Sequence, residues 1–121
     1  LFTDLGDAGR EGLASVLHNR GWVAGGLGDR AGSYEWFRLA VAEKTALMGA
    51  DHPSTLNSRL AEATAVAALE RYAEAEALLV AVLPDAVGRV GEKSGYVARA
   101  WNELGSVRQD LGRYADAADA Y

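Results

Sequence analysis

Large and small apolar positions return along this chain at a constant interval. Leu27-Gly28-Asp29-Arg30 recurs as Leu69-Glu70-Arg71-Tyr72 and again as Leu111-Gly112-Arg113-Tyr114, so the leucines stand 42 residues apart each time, with no gap. The same offset aligns small residues at Gly21, Ala63 and Gly105 and at Ser33, Ala75 and Ala117. It also aligns large ones at Phe37, Leu79 and Tyr121, and matches Ala40 to Val82 and Gly49 to Gly91. A period of this size is one helix-turn-helix unit, and β-branched runs of strand length are absent. The pattern predicts an all-α protein, with first helices over about 11–26, 54–69 and 96–111 and second helices over about 30–48, 72–88 and 114–121. Residues 1–4 read as the tail of an earlier second helix, and 5–10, with Gly6 and Gly9, as an inter-repeat loop. The chain is then a single array: 1–10 the end of a preceding repeat, 11–53 repeat 1, 54–95 repeat 2 and 96–121 a partial repeat 3.

These residue types have a physical meaning. Two helices approach closely only where one offers a small side chain to the other. Gly21, Ala63 and Gly105 fill that role on the first helices, and Ser33, Ala75 and Ala117 on the second. The large residue four positions later fills the space between repeats. In Leu-Gly-Arg-Tyr the glycine ends the first helix in the left-handed conformation and the ring covers the corner. Glu70 replaces that glycine in the middle repeat, so its turn is expected to differ. Asp51 and Ser54 around Pro53 mark a helix start. Pro84 falls inside a predicted helix and is expected to kink or break it.

Composition narrows the function. Half of the 121 residues are apolar, which is material for a continuous core, while aromatics make up only 8%. The formal net charge of −5 argues against a nucleic-acid surface, whose affinity depends on cationic contacts to phosphate. Lys44 and Lys93 are the only lysines, so an anion-binding cation here is expected to be an arginine. With no cysteine, disulfides and thiolate metal sites are excluded. No apolar run approaches a membrane span and no signal-peptide pattern opens the chain, so the expected location is the cytoplasm and no membrane partner is expected. The bias to Ala, Gly and Arg resembles that of high-GC bacteria. The start without methionine and the stop at Tyr121 inside an apolar helical pattern read as a segment of a longer protein.

Candidate chemistry is sparse. His52 precedes Pro53 in a linker, where capping and turn geometry is its expected role. A metal site with Asp51 lacks further ligands nearby in sequence. His18 lies on a predicted helix, near Asn19 and Glu11, and no nucleophile-elbow motif accompanies it. The glycine-rich stretch from Gly21 to Gly28 lacks the Gly-Lys-Ser/Thr ending of a phosphate loop and follows no strand, so it reads as a helix end and turn. The carboxylates of Glu70, Glu74, Glu76, Asp116 and Asp119 read as solvating charge. No cofactor, metal site or catalytic residue is expected.

Trp101-Asn102-Glu103-Leu104-Gly105 followed by Gly112-Arg113-Tyr114-Ala115-Asp116-Ala117 resembles the tetratricopeptide signature. Gly49-Ala50-Asp51-His52-Pro53-Ser54-Thr55-Leu56 resembles the linker of its 42-residue kinesin-light-chain subtype, and Tyr72-Ala73-Glu74-Ala75-Glu76-Ala77-Leu78-Leu79 is similar to that subtype's second helix. Arg59 and Leu17 depart from the family's bulky tryptophan position, Arg20 and Glu62 stand where leucine is usual, and Lys93-Ser94-Gly95 replaces Asp-His-Pro. The resemblance implies a right-handed α-α superhelix with first helices lining a concave face that binds a protein or peptide partner. It also implies a sensor or scaffold part of a larger signalling or transcription-regulatory protein.

Carried over by the 42-residue offset, the groove positions are Ser15, Asn57 and Arg99; His18, Leu60 and Asn102; Asn19, Ala61 and Glu103; Trp22, Thr64 and Ser106; and Gly25, Ala67 and Gln109. The peptide-binding candidates among them are Asn57, Arg99, Asn102, Ser106, Gln109, His18 and Trp22. Arg99, Asn102, Ser106 and Gln109 share one face of one predicted helix. Asn offers donor and acceptor to a peptide backbone, and Arg grips a carboxylate at two points. Trp22 reads either as an aromatic anchor or as packing, and Trp36 and Trp101 as core residues. The alternative function is self-association, with copies stacking through apolar terminal faces at Tyr114, Ala117 and Tyr121.

Overall fold

Five helices account for the elements of the computed structural model: α1 (Phe2–Gly26), α2 (Arg30–Met48), α3 (Pro53–Ala68), α4 (Tyr72–Val90) and α5 (Gly95–Ala120). The structure describes residues 2–120, with side chains described outside 1–8, 11 and 114–121. The protein is all-α. Each helix packs against the next in the chain, and α3 also touches α5. Turns of three residues (27–29 and 69–71) and linkers of four (49–52 and 91–94) leave room only for reversal between neighbours.

The 42-residue period reappears in the element ends. Arg30 and Tyr72 open α2 and α4, Met48 and Val90 close them, Gly26 and Ala68 close α1 and α3, and Pro53 and Gly95 open α3 and α5. The caps repeat as well. The Nδ1 atom of His52 accepts the Ser54 amide at 3.1 Å, and Ser94, its counterpart, accepts the Tyr96 amide on Oγ at 3.2 Å. His52 is thus the helix cap expected of it, whereas the Asp51 side chain takes no part in capping α3. Gly49 and Gly91 end the second helices at φ 96° and 87°, where a Cβ would be strained.

The middle turn keeps the left-handed residue and the closing hydrogen bond of the first, and differs in its cap: the Asp29 side chain accepts the Gly32 amide at the start of α2, whereas Arg71 caps α4 with no side-chain hydrogen bond. Glu70 adopts φ 63° where Gly28 has 83°. The Asp29 amide donates to the Ala24 carbonyl at 2.9 Å and the Arg71 amide to the Val66 carbonyl at 3.2 Å, so the closing hydrogen bond is the same. Left-handed backbone costs a residue with a Cβ about 1 kcal/mol. Keeping the hydrogen bond and the docking of α4 outweighs that cost.

Packing between paired helices follows the small-to-large rule. A Cβ on Gly21 would lie 2.7 Å from the Phe37 ring, and Ser33 Oγ donates to the Gly21 carbonyl at 2.8 Å. In the second pair Ala63, Ala75 and Leu79 are wholly buried. Together with Leu56, Leu60, Val66 and Val82 they join Val97, Leu104 and Val107 of α5 in one continuous core. Tyr96 Oη donates to the Leu56 carbonyl across the α3–α5 contact.

Further expectations meet a different structure. The segment 5–10 is helix, not loop, since α1 runs from Phe2 through Gly6, Gly9 and Gly12. Glycine costs about 1 kcal/mol per site in a helix, but α2 is long enough to offer a lane beside it, as the Arg10–Glu43 ion pair at 3.1 Å shows. The turn expected at 111–114 does not form, and α5 continues to Ala120. The hairpins at 27–29 and 69–71 are held by second helices that bury residues over several turns: Ser33, Phe37, Ala40 and Lys44, or Ala75 through Ala86. The side chains of Tyr114, Ala117 and Tyr121 lie outside the described residues. Pro84 does not break α4, which runs unbroken from Tyr72 to Val90. Its exposed position leaves the carbonyl it strips of a partner near solvent. Trp101 is 55% exposed instead of core, because no second helix covers that face of α5 among the described residues. Trp36 is partly buried, with the Arg20 guanidinium 5.1 Å above its ring.

Glu70→Gly is expected to stabilise the chain by about 0.5–1 kcal/mol, read by urea unfolding, because it relieves the left-handed strain at an exposed site. A destabilised variant would show that the Glu70 side chain makes a compensating contact.

Candidate functional site

His18 and Trp22 lie one turn apart on α1, so their side chains share a face. An indole nitrogen donates and cannot accept. Trp22 Nε1 lies 2.9 Å from His18 Nε2, so that nitrogen must hold the lone pair. The ring proton then sits on Nδ1 and donates to Ser58 Oγ of α3 at 2.8 Å. Phe37 of α2 meets both rings edge-on, at 5.2 Å from His18 and 5.5 Å from Trp22. One histidine thereby ties α1 to α3 while fixing the orientation of Trp22.

Trp22 and Phe37 form the aromatic side of a cleft of about 390 Å³ between α1, α2 and α3. Its floor is small: Gly25 and Gly26 from α1, and Ala61, Ala65 and Ala68 from α3. Ser33 and Thr64 also line it. Ser33 Oγ is spent on the Gly21 carbonyl, and Thr64 Oγ1 donates to the Leu60 carbonyl at 3.1 Å. Arg30, exposed at the start of α2, is the one charged side chain of the lining. The interior therefore offers shape and apolar surface. Its volume is at the low end of ligand sites, matching an inserted side chain better than an extended cofactor.

The groove positions divide. Trp22, Gly25, Ala61 and Thr64 come together in this cleft. His18 is buried behind Trp22 with both nitrogens engaged, so its ring faces the helix packing and no ligand-accessible surface. Leu60 is core. Asn57 is exposed on α3, and Arg99, Asn102, Ser106 and Gln109 form an exposed stripe on α5, but none of them lines the cleft. Sequence reasoning missed Gly26, Arg30, Ser33, Phe37, Ala65 and Ala68 as lining residues. By its place in the repeat Phe37 reads as inter-repeat filling; only the missing Cβ at Gly21 signals how far its ring enters.

A second cleft, about 560 Å³, opens between α4 and α5, where Val80, Leu83, Val87, Trp101 and Leu104 present an apolar wall. Toward the linker between α2 and α3 the packing is polar. Lys44 is buried and donates from Nζ to the Ser54 carbonyl at 3.2 Å, and burial lowers its pKa. Thr55 Oγ1 is buried without a partner. Burial, reinforced by the field of Lys44, also holds the His18 pKa below its ordinary 6.5. At the α2–α3–α4 contact, burial raises the Glu62 carboxyl, with Glu74 adding to the shift and Arg38 and Arg59 opposing it.

Among the described residues, no group of three or more His, Asp or Glu side chains could hold a metal ion, and no helix is long and apolar enough to cross a membrane. Comparison of the chain with protein-family models, curated proteins and solved structures finds no match.

His18 and Glu62 give opposite slopes of stability with pH. An unfolded His18 takes up a proton at 6.5 and the folded one resists it. Its contribution is therefore complete above that value and is lost as pH falls toward the folded pKa. Glu62, raised above 4.5, contributes at low pH and loses its contribution as pH rises through the folded pKa. Urea unfolding of wild type and His18→Gln between pH ~8 and ~5 isolates the first. Wild type is expected to lose more stability on acidification than the variant; parallel profiles would show that His18 is not the titrating group.

Proposed function

We propose that this chain is a protein-binding helical-repeat module of tetratricopeptide type, of the 42-residue kinesin-light-chain variety, which takes a segment of a partner into the cleft between α1, α2 and α3. The observation that carries the reading is the cleft: a concave, apolar pocket with Trp22 at its edge, 55% exposed. Large aromatic side chains beside a pocket are the usual energetic centre of a protein interface. Support for the family comes from the gapless period and from helix ends and caps that repeat with it. In this reading the helices form a right-handed superhelix, and the exposed polar stripe of Arg99, Asn102, Ser106 and Gln109 guides the rest of the partner past the anchor. The setting is a cytoplasmic sensor or scaffold portion of a larger signalling or transcription-regulatory protein. The acidic chain is not the nucleic-acid-binding part of it.

A library of random peptides displayed on phage tests the proposal. Peptides selected on the wild-type chain are expected to lose affinity by about tenfold or more on Thr64→Arg, which fills the cleft from an exposed helix position. Circular dichroism should be unchanged. Failure to select any peptide over the Thr64→Arg control would sink the reading.

A second reading is favoured by the α4–α5 cleft, whose Trp101 and Val80 are 55% and 48% exposed. The chain also exposes Leu13, Val16 and Val23 on α1. Two apolar faces on different elements suit a second copy stacking end to end. Sedimentation at rising concentration is expected to show association that Trp101→Arg abolishes, arginine being the residue at the equivalent position, 59. A wild-type chain that stays monomeric throughout would exclude this reading.

A further inference from the structure

The Trp22 indole owes its orientation to one hydrogen bond, and that bond exists only while His18 Nε2 holds a lone pair. A protonated imidazole carries N–H on both nitrogens. Nε2–H would then face the Trp22 N–H across 2.9 Å, donor against donor. Ser58, on the other nitrogen, can still accept, so the conflict falls wholly on Trp22. Little else secures the indole, which is more than half exposed and otherwise meets the edges of Phe37 and His18.

Among the described residues, the surroundings offer the cation no counter-charge. From α3 the ring meets the neutral Ser58, and from α2 it meets Phe37 and the field of the buried Lys44, which opposes protonation. On α1 itself Arg20 is turned onto the Trp36 ring. No described carboxylate acts on the ring. A proton added here has no counter-charge, and the available relief is to break the contact with Trp22.

We propose that His18 is a proton-operated latch on the cleft: neutral, it holds Trp22 as a wall; protonated, it lets that wall go and the partner with it. As control of binding, the latch rests on the cleft being the partner site. Histidine suits the task because small changes of environment carry its titration across the range near neutrality. The bistable element is a single indole side chain at the rim of a packed floor.

The test follows the Trp22 indole N–H and the His18 ring resonances by NMR between pH ~8 and ~5, without any partner. In the wild-type chain the indole signal is expected to move with the same midpoint as the His18 ring, below the ordinary 6.5, with helicity unchanged. In His18→Gln the indole signal should stay in place. Trp22→Phe keeps an aromatic wall but removes the donor, so the His18 midpoint should rise by about half to one pH unit. An indole signal that ignores the His18 titration, or that moves only with loss of helicity, overturns the latch. So does an unchanged His18 midpoint in Trp22→Phe. A selected peptide that binds the cleft equally at both ends of the range overturns the latch and leaves the binding reading intact. A coupled titration in a chain that selects no peptide supports the His18–Trp22 switch and sinks the binding reading.

Discussion

The Phe37 ring occupies the space where a side chain on residue 21 would begin. Because Gly21 has no Cβ, α1 and α2 approach until ring meets backbone, and Ser33 can reach the Gly21 carbonyl with its hydroxyl. That close approach sets the depth at which Phe37 stands between α1 and α3. It thereby sets the cleft, whose wall is Phe37 with Trp22 and whose floor is glycine and alanine. The second pair solves the same problem with Ala63, Ala75 and Leu79, all fully buried. A methyl group there fills the gap, and apolar packing continues unbroken into α5.

The two junctions between pairs therefore differ in kind. Where the second buries Val97, Ala100 and Ala86, the first buries Thr55, Ser58 and Lys44 at the equivalent positions. Polar groups inside a protein cost stability unless partnered. His18 and Ser58 partner each other, Lys44 finds one carbonyl, and the Thr55 hydroxyl finds nothing. The first junction gives up cohesion that the second retains. In exchange its geometry depends on hydrogen bonds with a direction and a protonation state. Small features beside it, such as the orientation of one indole, then become sensitive to conditions that leave an apolar core untouched.

The regular features were legible because the cause of each is local. A cap needs an acceptor beside a free amide, and His52 and Ser94 both supply one. A left-handed helix end favours glycine, and Gly28, Gly49 and Gly91 stand there. Glu70 can stand in the glycine's place because conformational preference is worth about 1 kcal/mol, while the backbone closure it permits involves a whole helix. The cleft was half legible: Trp22, Gly25, Ala61 and Thr64 of its lining share the positions singled out by the offset, whereas His18, singled out in the same way, turned inward. Its ring is drawn into the packing by partners 4 and 40 residues away, and the second of these has no signature along the chain.

By itself, the sequence determined the helical class, the 42-residue period and, to within two residues, the helix ends at the turns 27–29 and 69–71 and the linkers 49–52 and 91–94. These depend on interactions within a few residues, which spacing and residue type encode directly. The tertiary structure decided whether Gly6, Gly9 and Gly112 interrupt a helix, whether Trp101 is covered, and that on one face of α1 the histidine is buried while the indole one turn on stays exposed. Each of those depends on a surface being present to pack against. A glycine breaks a helix only when a second helix rewards the turn, and a tryptophan is core only when something lies over it.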